Sequence, residues 1–347
     1  MEKIKVLVVD DSALMRKLLQ QLLSLAPDIE VIATTPDPFL AWEQIKKTRP
    51  DVITLDVEMP RMDGLSFLTK LMSHYPLPVV MVSSLTQANC ETSLRALELG
   101  AVELFAKPAS NVLNGITAAA GELIEKVRIA AGAQVKKLST TPRPPRAART
   151  GLGSGVVRTT HQVIAIGAST GGTAAIRALL ESFPPDAPGT VVVQHMPERF
   201  TAAFAQRLDG LCQIRVSEAQ HGDRVLPGHA LIAPGGRHLA VVRSGAVCSV
   251  VIEDSPPINR HRPSVDVLFR SCARQLGRNA IGVILTGMGD DGAAGLKEMR
   301  DAGAHTIAQD EATSVVFGMP RQAIEAGAAV EVLALGAIGP ALVSRTS

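Results

Sequence analysis

Short apolar runs alternate with amphipathic stretches through the first third of the chain. Residues 4–9, 30–34, 52–55, 79–82 and 101–105 read as strands, residues 12–25, 64–73 and 91–99 as helices between them, and a longer helix over 112–131 closes the unit. Strands that are apolar throughout, interleaved with helices, predict a doubly wound parallel sheet covered on both faces. The periodicity then stops. Residues 136–160 carry six basic residues, three prolines and three glycines but no acidic residue. Such a segment buries too little apolar area to offset its chain entropy, so it predicts a flexible tether whose charge is solvated. From Gln162 the alternation resumes, with strands at 163–166, 190–194 and 280–286 and helices at 173–181 and 264–275. Phe200, Phe204 and Leu208 recur at helical spacing, and Ser244-Gly245 predicts a hairpin turn between 239–243 and 247–252. The expected architecture is α/β throughout. It comprises a five-stranded parallel domain over 1–133, a linker over 134–160, and over 161–347 an α/β domain with a mixed, mainly parallel sheet.

A length of 347 residues accords with two domains, and 46% hydrophobic against 20% charged residues supplies material for two cores. The 35 basic and 33 acidic side chains nearly cancel, to a formal +2, which gives no general attraction to nucleic acid. Aromatics are 3%, too few for a base-stacking platform. Cys90, Cys212, Cys248 and Cys272 are scattered with no C-x-x-C pair, which predicts reduced thiols in a cytoplasmic protein. The first residues lack the apolar stretch of a signal peptide, and no run of about 18 apolar residues exists, so no membrane insertion is expected. The chain is expected to act as a monomer.

Chemistry-bearing residues gather at the predicted strand ends. Asp10 and Asp11 end the first strand, Asp56 the third and Ser83 the fourth, and Lys107-Pro108 follows the fifth. In a doubly wound sheet, residues just beyond the carboxyl ends of the strands share a crevice. With strand order 2-1-3-4-5, the first and third strands are neighbours, and Asp10, Asp11 and Asp56 converge. Three close carboxylates repel unless a cation joins them, and hard oxygen ligands with water access suit Mg2+. One carboxylate is then left as a nucleophile toward phosphate. The ordinary alternative has Asp10 or Asp11 capping a helix and Asp56 opening a turn. It explains each residue alone but not four groups on one edge.

Val8-Val9-Asp10-Asp11-Ser12, the run from Leu55-Asp56 to Asp63-Gly64, and Ala106-Lys107-Pro108 resemble the receiver domain of two-component response regulators over about residues 1–130. The resemblance implies a flavodoxin-like fold and phosphorylation of Asp56 by a histidine kinase. It implies Mg2+ held by Asp11, Asp56 and the Glu58 carbonyl, with Asp10 in the acidic cluster. Ser83 then occupies the hydroxyl switch position and Lys107 the lysine position.

A second constellation lies beyond the tether. Gly167-Ala168-Ser169-Thr170-Gly171 fits G-x-S-x-G between a predicted strand and helix. A sharp strand-to-helix turn exposes a serine hydroxyl for attack, but the same loop suits a phosphate at a helix N-terminus, and the motif leaves both open. It matches neither G-x-G-x-x-G nor a Walker A sequence. Among the eight histidines, His195 leaves a buried strand on the same edge as Ser169, which favours it as a base. His261 with Ser264 and Asp266 offers a local triad, but a helix starting there would point the three apart. The orienting carboxylate is expected within 287–292, where Asp290 and Asp291 are equivalent and either would otherwise cap the next helix. The chain order Ser–His–Asp is no obstacle, because the roles depend on geometry.

The segments around Ser169, His195, His261 to Asp266, and Asp291 resemble the catalytic domain of chemotaxis protein-glutamate methylesterases over about residues 162–345. Receiver, tether and esterase occur in that family's order. The resemblance implies hydrolysis of glutamate γ-methyl esters on chemoreceptors with methanol release, and deamidation of receptor glutamines with ammonia release. It implies Ser169 as nucleophile, His195 as base, Asp291 rather than Asp290 as orienter, and the Thr170 and Met288 amides as oxyanion donors. No cofactor is implied for the ester chemistry. In the family the unphosphorylated receiver packs over the catalytic cleft, and phosphorylation of Asp56 relieves this. Two other classes stand beside this reading. One is a DNA-binding output domain, against which the lack of a helix-turn-helix pattern counts, and the other a dinucleotide enzyme using residues 167–172.

Overall fold

A computed structural model describes residues 3–84, 87–107, 115–135, 137 and 162–346. Pro108, the first residues of the helix expected from 112, and nearly all of the tether expected over 134–160 lie outside them. The chain divides into two compact units, Met1–Thr141 and Pro142–Ser347. Among the described residues no helix is long and apolar enough to cross a membrane.

In the first unit β1 (Ile4–Val9), α1 (Ala13–Ser24), β2 (Ile29–Thr35), α2 (Pro38–Lys47), β3 (Val52–Asp56), α3 (Gly64–His74), β4 (Val79–Ser83), α4 (Gln87–Glu98), β5 (Glu103–Ala106) and α5 (Gly115–Ala131) alternate. The sheet order is β2-β1-β3-β4-β5 and every pairing is parallel. β3 and β4 are buried along their whole length, as strands covered by helices on both faces must be. Each of the first three helices starts on a side chain that satisfies free backbone N–H groups: Ser12 for α1, Asp37 for α2 and Asp63 for α3. The cap of α1 is therefore Ser12, not Asp10 or Asp11. Gly64 is required by close approach, because a Cβ there would overlap the Asp56 carbonyl.

The second unit runs β6 (Val163–Ala168), α6 (Gly172–Glu181), β7 (Gly189–Gln194), α7 (Glu198–Leu211), β8 (Arg215–Glu218), β9 (His229–Ile232), β10 (His238–Ser244), β11 (Val247–Glu253), α8 (Val265–Leu276), β12 (Ala280–Ile284), α9 (Ala293–Asp301), β13 (His305–Gln309), α10 (Met319–Glu325), β14 (Glu331–Leu333) and α11 (Leu335–Thr346). Its seven-stranded sheet has the order β14-β13-β12-β6-β7-β9-β8, parallel at every pairing. The antiparallel part expected of this domain is segregated into a separate hairpin, β10–β11, which turns at left-handed Gly245. α8 buries Val265, Leu268, Phe269 and Cys272, a helical stripe that joins the main core cluster. The strand expected over 280–286 stops at Ile284 because Thr286 turns to other partners. Its N–H donates to Gln309 Oε1 and its hydroxyl to the Thr170 carbonyl.

The chain builds outward from β6 through β7, β8 and β9, then returns to the other side of β6 for β12, β13 and β14. Strand order thus reverses between β6 and β12, and the crevice at their carboxyl ends is where an open α/β sheet holds its ligands.

Candidate active site and acidic cluster

In the first unit, β1 and β3 pair with Val9 opposite Leu55, so Asp10 and Asp56 emerge side by side. Carboxylate oxygens of Asp10, Asp11 and Asp56 lie within 4.8 Å of one another, the first and last buried and Asp11 exposed. Lys107 is fixed by its own N–H on the Ser83 carbonyl at 2.8 Å. Its Nζ stands 2.8 Å from Asp56 Oδ2 and 3.1 Å from Asp10 Oδ2. The contact with Asp10 is a charge pair without hydrogen-bond alignment, so the buried Oδ2 of Asp10 has no donor. Burial pushes the Asp56 carboxyl up to about 6; Lys107 pulls against this and the Asp10 charge adds to it. Hard oxygen donors, an undonated buried carboxylate oxygen and solvent access through Asp11 fit a divalent cation. Ser83 is buried, and its hydroxyl points back to the Ser84 carbonyl at 3.3 Å rather than into the cluster. The Glu58 N–H reaches Asp56 Oδ1 at 3.5 Å.

In the second unit, three adjacent strands, β12, β6 and β7, deliver Asp291, Ser169 and His195 to one edge. Ser169 opens the turn into α6 and is half-buried, its carbonyl held by Gly172 N–H at 2.7 Å and Gln194 Nε2 at 2.8 Å. His195 donates its backbone N–H to the Ala168 carbonyl at 3.1 Å, which sets it beside Ser169. Its Nε2 lies 2.8 Å from Asp291 Oδ2, and its Nδ1 is buried without a hydrogen-bond partner. Gly287 presses against the nucleophile turn: a Cβ there would lie 2.8 Å from Ser169 Cβ. The next amide, Met288 N–H, therefore starts beside the serine, and it makes no hydrogen bond among the described residues. The carbonyl of buried Thr170 is fixed by the Thr286 hydroxyl at 2.9 Å.

Asp291 is 1% exposed, yet it is surrounded by donors. Its Oδ1 accepts from Asn259 Nδ2 at 2.9 Å, the Ser264 hydroxyl at 2.7 Å and Asp266 N–H at 3.3 Å. Its Oδ2 accepts from Val265 N–H at 2.6 Å as well as from His195. Burial alone would raise its carboxyl, but the bonds from His195, Ser264 and Asn259 win and hold it well below the usual carboxylate range. Two of these donors are the first N–H groups of α8, so Asp291 caps that helix from outside. The service is returned, since Asp266 Oδ1 accepts from Gly292 N–H at 3.1 Å and Gly295 N–H at 2.7 Å at the start of α9. Neither Ser264 nor Gly292, at the two N-cap positions, makes a side-chain cap bond of its own.

His261, set aside as a base, stacks on His195 with ring centroids 3.7 Å apart and planes 11° from parallel. Burial pushes it down to about 4, and the neighbouring His195 adds to this, so it is neutral at neutral pH. The local triad of His261, Ser264 and Asp266 does not form, because Ser264 and Asp266 serve Asp291 and α9 instead.

Residues 164–342 match the family model described as CheB methylesterase, and residues 6–115 the response regulator receiver domain. The chain belongs to the CheB methylesterase family. A protein-glutamate methylesterase/protein-glutamine glutaminase of Burkholderia lata is 56% identical over 348 residues, covering 99% of this chain and 96% of that protein. Its counterpart in Salmonella typhimurium is 54% identical over 347 residues, covering 100% of this chain and 98% of that protein. The crystal structure of the Thermotoga maritima CheB methylesterase catalytic domain aligns with a TM-score of 0.53 at 38% identity, over 54% of this chain and all of that one. CheB membership makes the chain a receiver-linked methylesterase and removes the DNA-binding and dinucleotide readings. Sequence reasoning missed Asn259. Its signal was an asparagine, tolerant of left-handed backbone, just before His261, but no periodic pattern singled it out.

Proposed function

We propose that this methylesterase acts on glutamate γ-methyl esters and on specific glutamines of chemoreceptors through Ser169, His195 and Asp291. Protein-glutamate methylesterase and protein-glutamine glutaminase are the activities carried by the family's full-length relatives and by this chain. The observation that carries the residue roles is the His195 ring, bonded to Asp291 through Nε2 and left with a buried, unpartnered Nδ1. Ser169 Oγ attacks the side-chain carbonyl and its proton passes to His195 Nδ1. The tetrahedral centre collapses as that proton goes to the departing methanol or ammonia. Water then attacks the acyl-Ser169 ester, giving its proton to His195, which returns it to Ser169 as glutamate is released. Asp291 orients the ring and stabilises the imidazolium. The Thr170 and Met288 amides hold the oxyanion, and losing one such donor typically costs about 10²–10³ in kcat.

The same reading gives Asp56 the phosphoryl group of a histidine kinase. Asp10, Asp11, Asp56 and the Glu58 carbonyl would hold Mg2+, which when bound neutralises incoming phosphoryl charge. Lys107 adds a second positive charge, and Ser83 turns from the Ser84 carbonyl toward the new phosphoryl oxygens. Phosphorylation raises the hydrolysis rate, with residues 134–160 as tether between receiver and esterase. Four free cysteines suit work in the cytoplasm. The test is methanol release from methylated receptor membranes, with and without a small phosphodonor and Mg2+. Wild type should be stimulated, Ser169→Ala should fall by about 10³–10⁶-fold, and Asp56→Asn should keep its basal rate without stimulation. Full activity in Ser169→Ala would end the nucleophile assignment.

A further inference from the structure

Ile258 and His261 exchange backbone hydrogen bonds, N–H of each to the carbonyl of the other, at 3.1 and 2.9 Å. The two residues between them, Asn259 and Arg260, both have positive φ, 51° and 67°. This is a two-residue turn of the primed kind, in which both central residues are left-handed. Asparagine suits such a position, but arginine does not, and a left-handed non-glycine residue there holds backbone strain. Strain held at an active-site edge calls for a compensating gain.

The gain lies in where the turn puts the asparagine amide. Nδ2 of Asn259 donates to Asp291 Oδ1 and to Asp266 Oδ2, both at 2.9 Å. One nitrogen with two hydrogens thus stands between two carboxylates that are 1% and 2% exposed. Without it, Asp291 would keep its bonds from His195, Ser264 and the α8 amides but lose its tie to Asp266, whose other side-chain partner is Arg270, and its Oδ1 would be held less tightly. We propose that Asn259 is a positioning residue of the esterase. Its amide bridges Asp266 and Asp291, and so fixes the carboxylate that orients His195. The inference rests on the Ser169–His195–Asp291 reading.

Two substitutions separate positioning from folding. Asn259→Gly keeps a residue that accepts positive φ and removes the amide. Asn259→Asp keeps the shape and puts a third carboxylate between the other two. The titratable and charged groups around the pair are Asp266 and Arg270 from α8, His261 and Arg260 from the turn, Asp290 before α9, and His195 itself. All are unchanged in both variants. With one donor fewer, the charge of Asp291 is less dispersed and favours the imidazolium, so the acid limb of kcat against pH moves upward. An added carboxylate moves it further the same way.

The experiment is methanol release by the phosphodonor-saturated full chain, across pH, with thermal melting of each variant. Asn259→Gly should lose about 10- to 100-fold in kcat with KM unchanged, and its acid limb should rise by roughly half a pH unit. Asn259→Asp should exceed it in both. An Asn259→Gly enzyme with wild-type kcat and pH profile overturns the proposal. So does a loss of rate matched by a lower melting temperature with no movement of the acid limb. Asp291→Asn, assayed alongside, distinguishes the two levels. If it is inactive while Asn259→Gly is normal, only the positioning role fails. If it is fully active, the triad reading fails and takes the positioning role with it.

Discussion

Two buried aspartates stand at the carboxyl edge of two parallel sheets, and they are dressed in opposite ways. Asp56 shares its pocket with Asp10 and leans on Lys107, and burial lifts it to about 6. Asp291 collects five donors from a histidine, a serine, an asparagine and two helical amides, and it is held below the usual carboxylate range. A carboxylate meant to form a bond needs reactive electron density and room for a phosphoryl group, so its surroundings leave it short of donors. One meant to hold an imidazole must stay charged and still, so its surroundings saturate it. On the proposed roles, the donor count around a buried acid, more than its burial, separates nucleophile from orienter.

The contrast can be broken most directly at Asp291. Asp291→Asn should lower kcat by about 10⁴-fold by favouring the wrong ring tautomer. A loss of less than tenfold would mean that the saturated carboxylate only caps helices.

A smaller effect concerns the stacked histidine. His261 is depressed to about 4 in the folded chain, so between its unfolded value near 6.5 and 4 the unfolded state binds more protons. Stability should therefore fall as pH drops through that window, and His261→Gln should flatten part of the slope. His229 and His305 are depressed by burial as well, so some slope will persist. Urea melts at several pH values from 4.5 to 7 check this, and parallel curves for variant and wild type would contradict it. Asp291, also held down in the folded chain, contributes stability above about pH 4 that is lost at lower pH.

The smallest expected shift sharpens the Asp56 side. In Mg2+-free solution Asp10→Asn should lower the Asp56 titration from about 6 by roughly one unit, read by carboxyl NMR. An unmoved midpoint would make burial alone responsible for Asp56.

Much of this was legible in the residues. Apolar runs ending in Asp10, Asp56, Ser169 and His195 announce both the parallel sheets and the edge on which chemistry gathers, because a parallel sheet puts all its strand ends on one side. Less legible were the contacts that join distant segments at short range. Asn259 reaches Asp291 across 32 positions, and Thr286 ties the Thr170 turn to Val316. The turn at Asn259-Arg260 escaped because an arginine stands where glycine would have signalled it. His261 was rightly separated from Ser264 and Asp266, but its stacking on His195 depends on tertiary approach, which hydrophobic periodicity does not encode.

The exchange of helix caps between Asp291 and Asp266 has an evolutionary consequence. The start of α8 is completed by Asp291, in the turn before α9, and the start of α9 by Asp266, on α8, so the two cannot be remodelled independently. A substitution that frays either one loosens Asp291, and with it the His195 ring. On the proposed role of Asp291, drift that erodes the fold here would therefore surface as lost turnover.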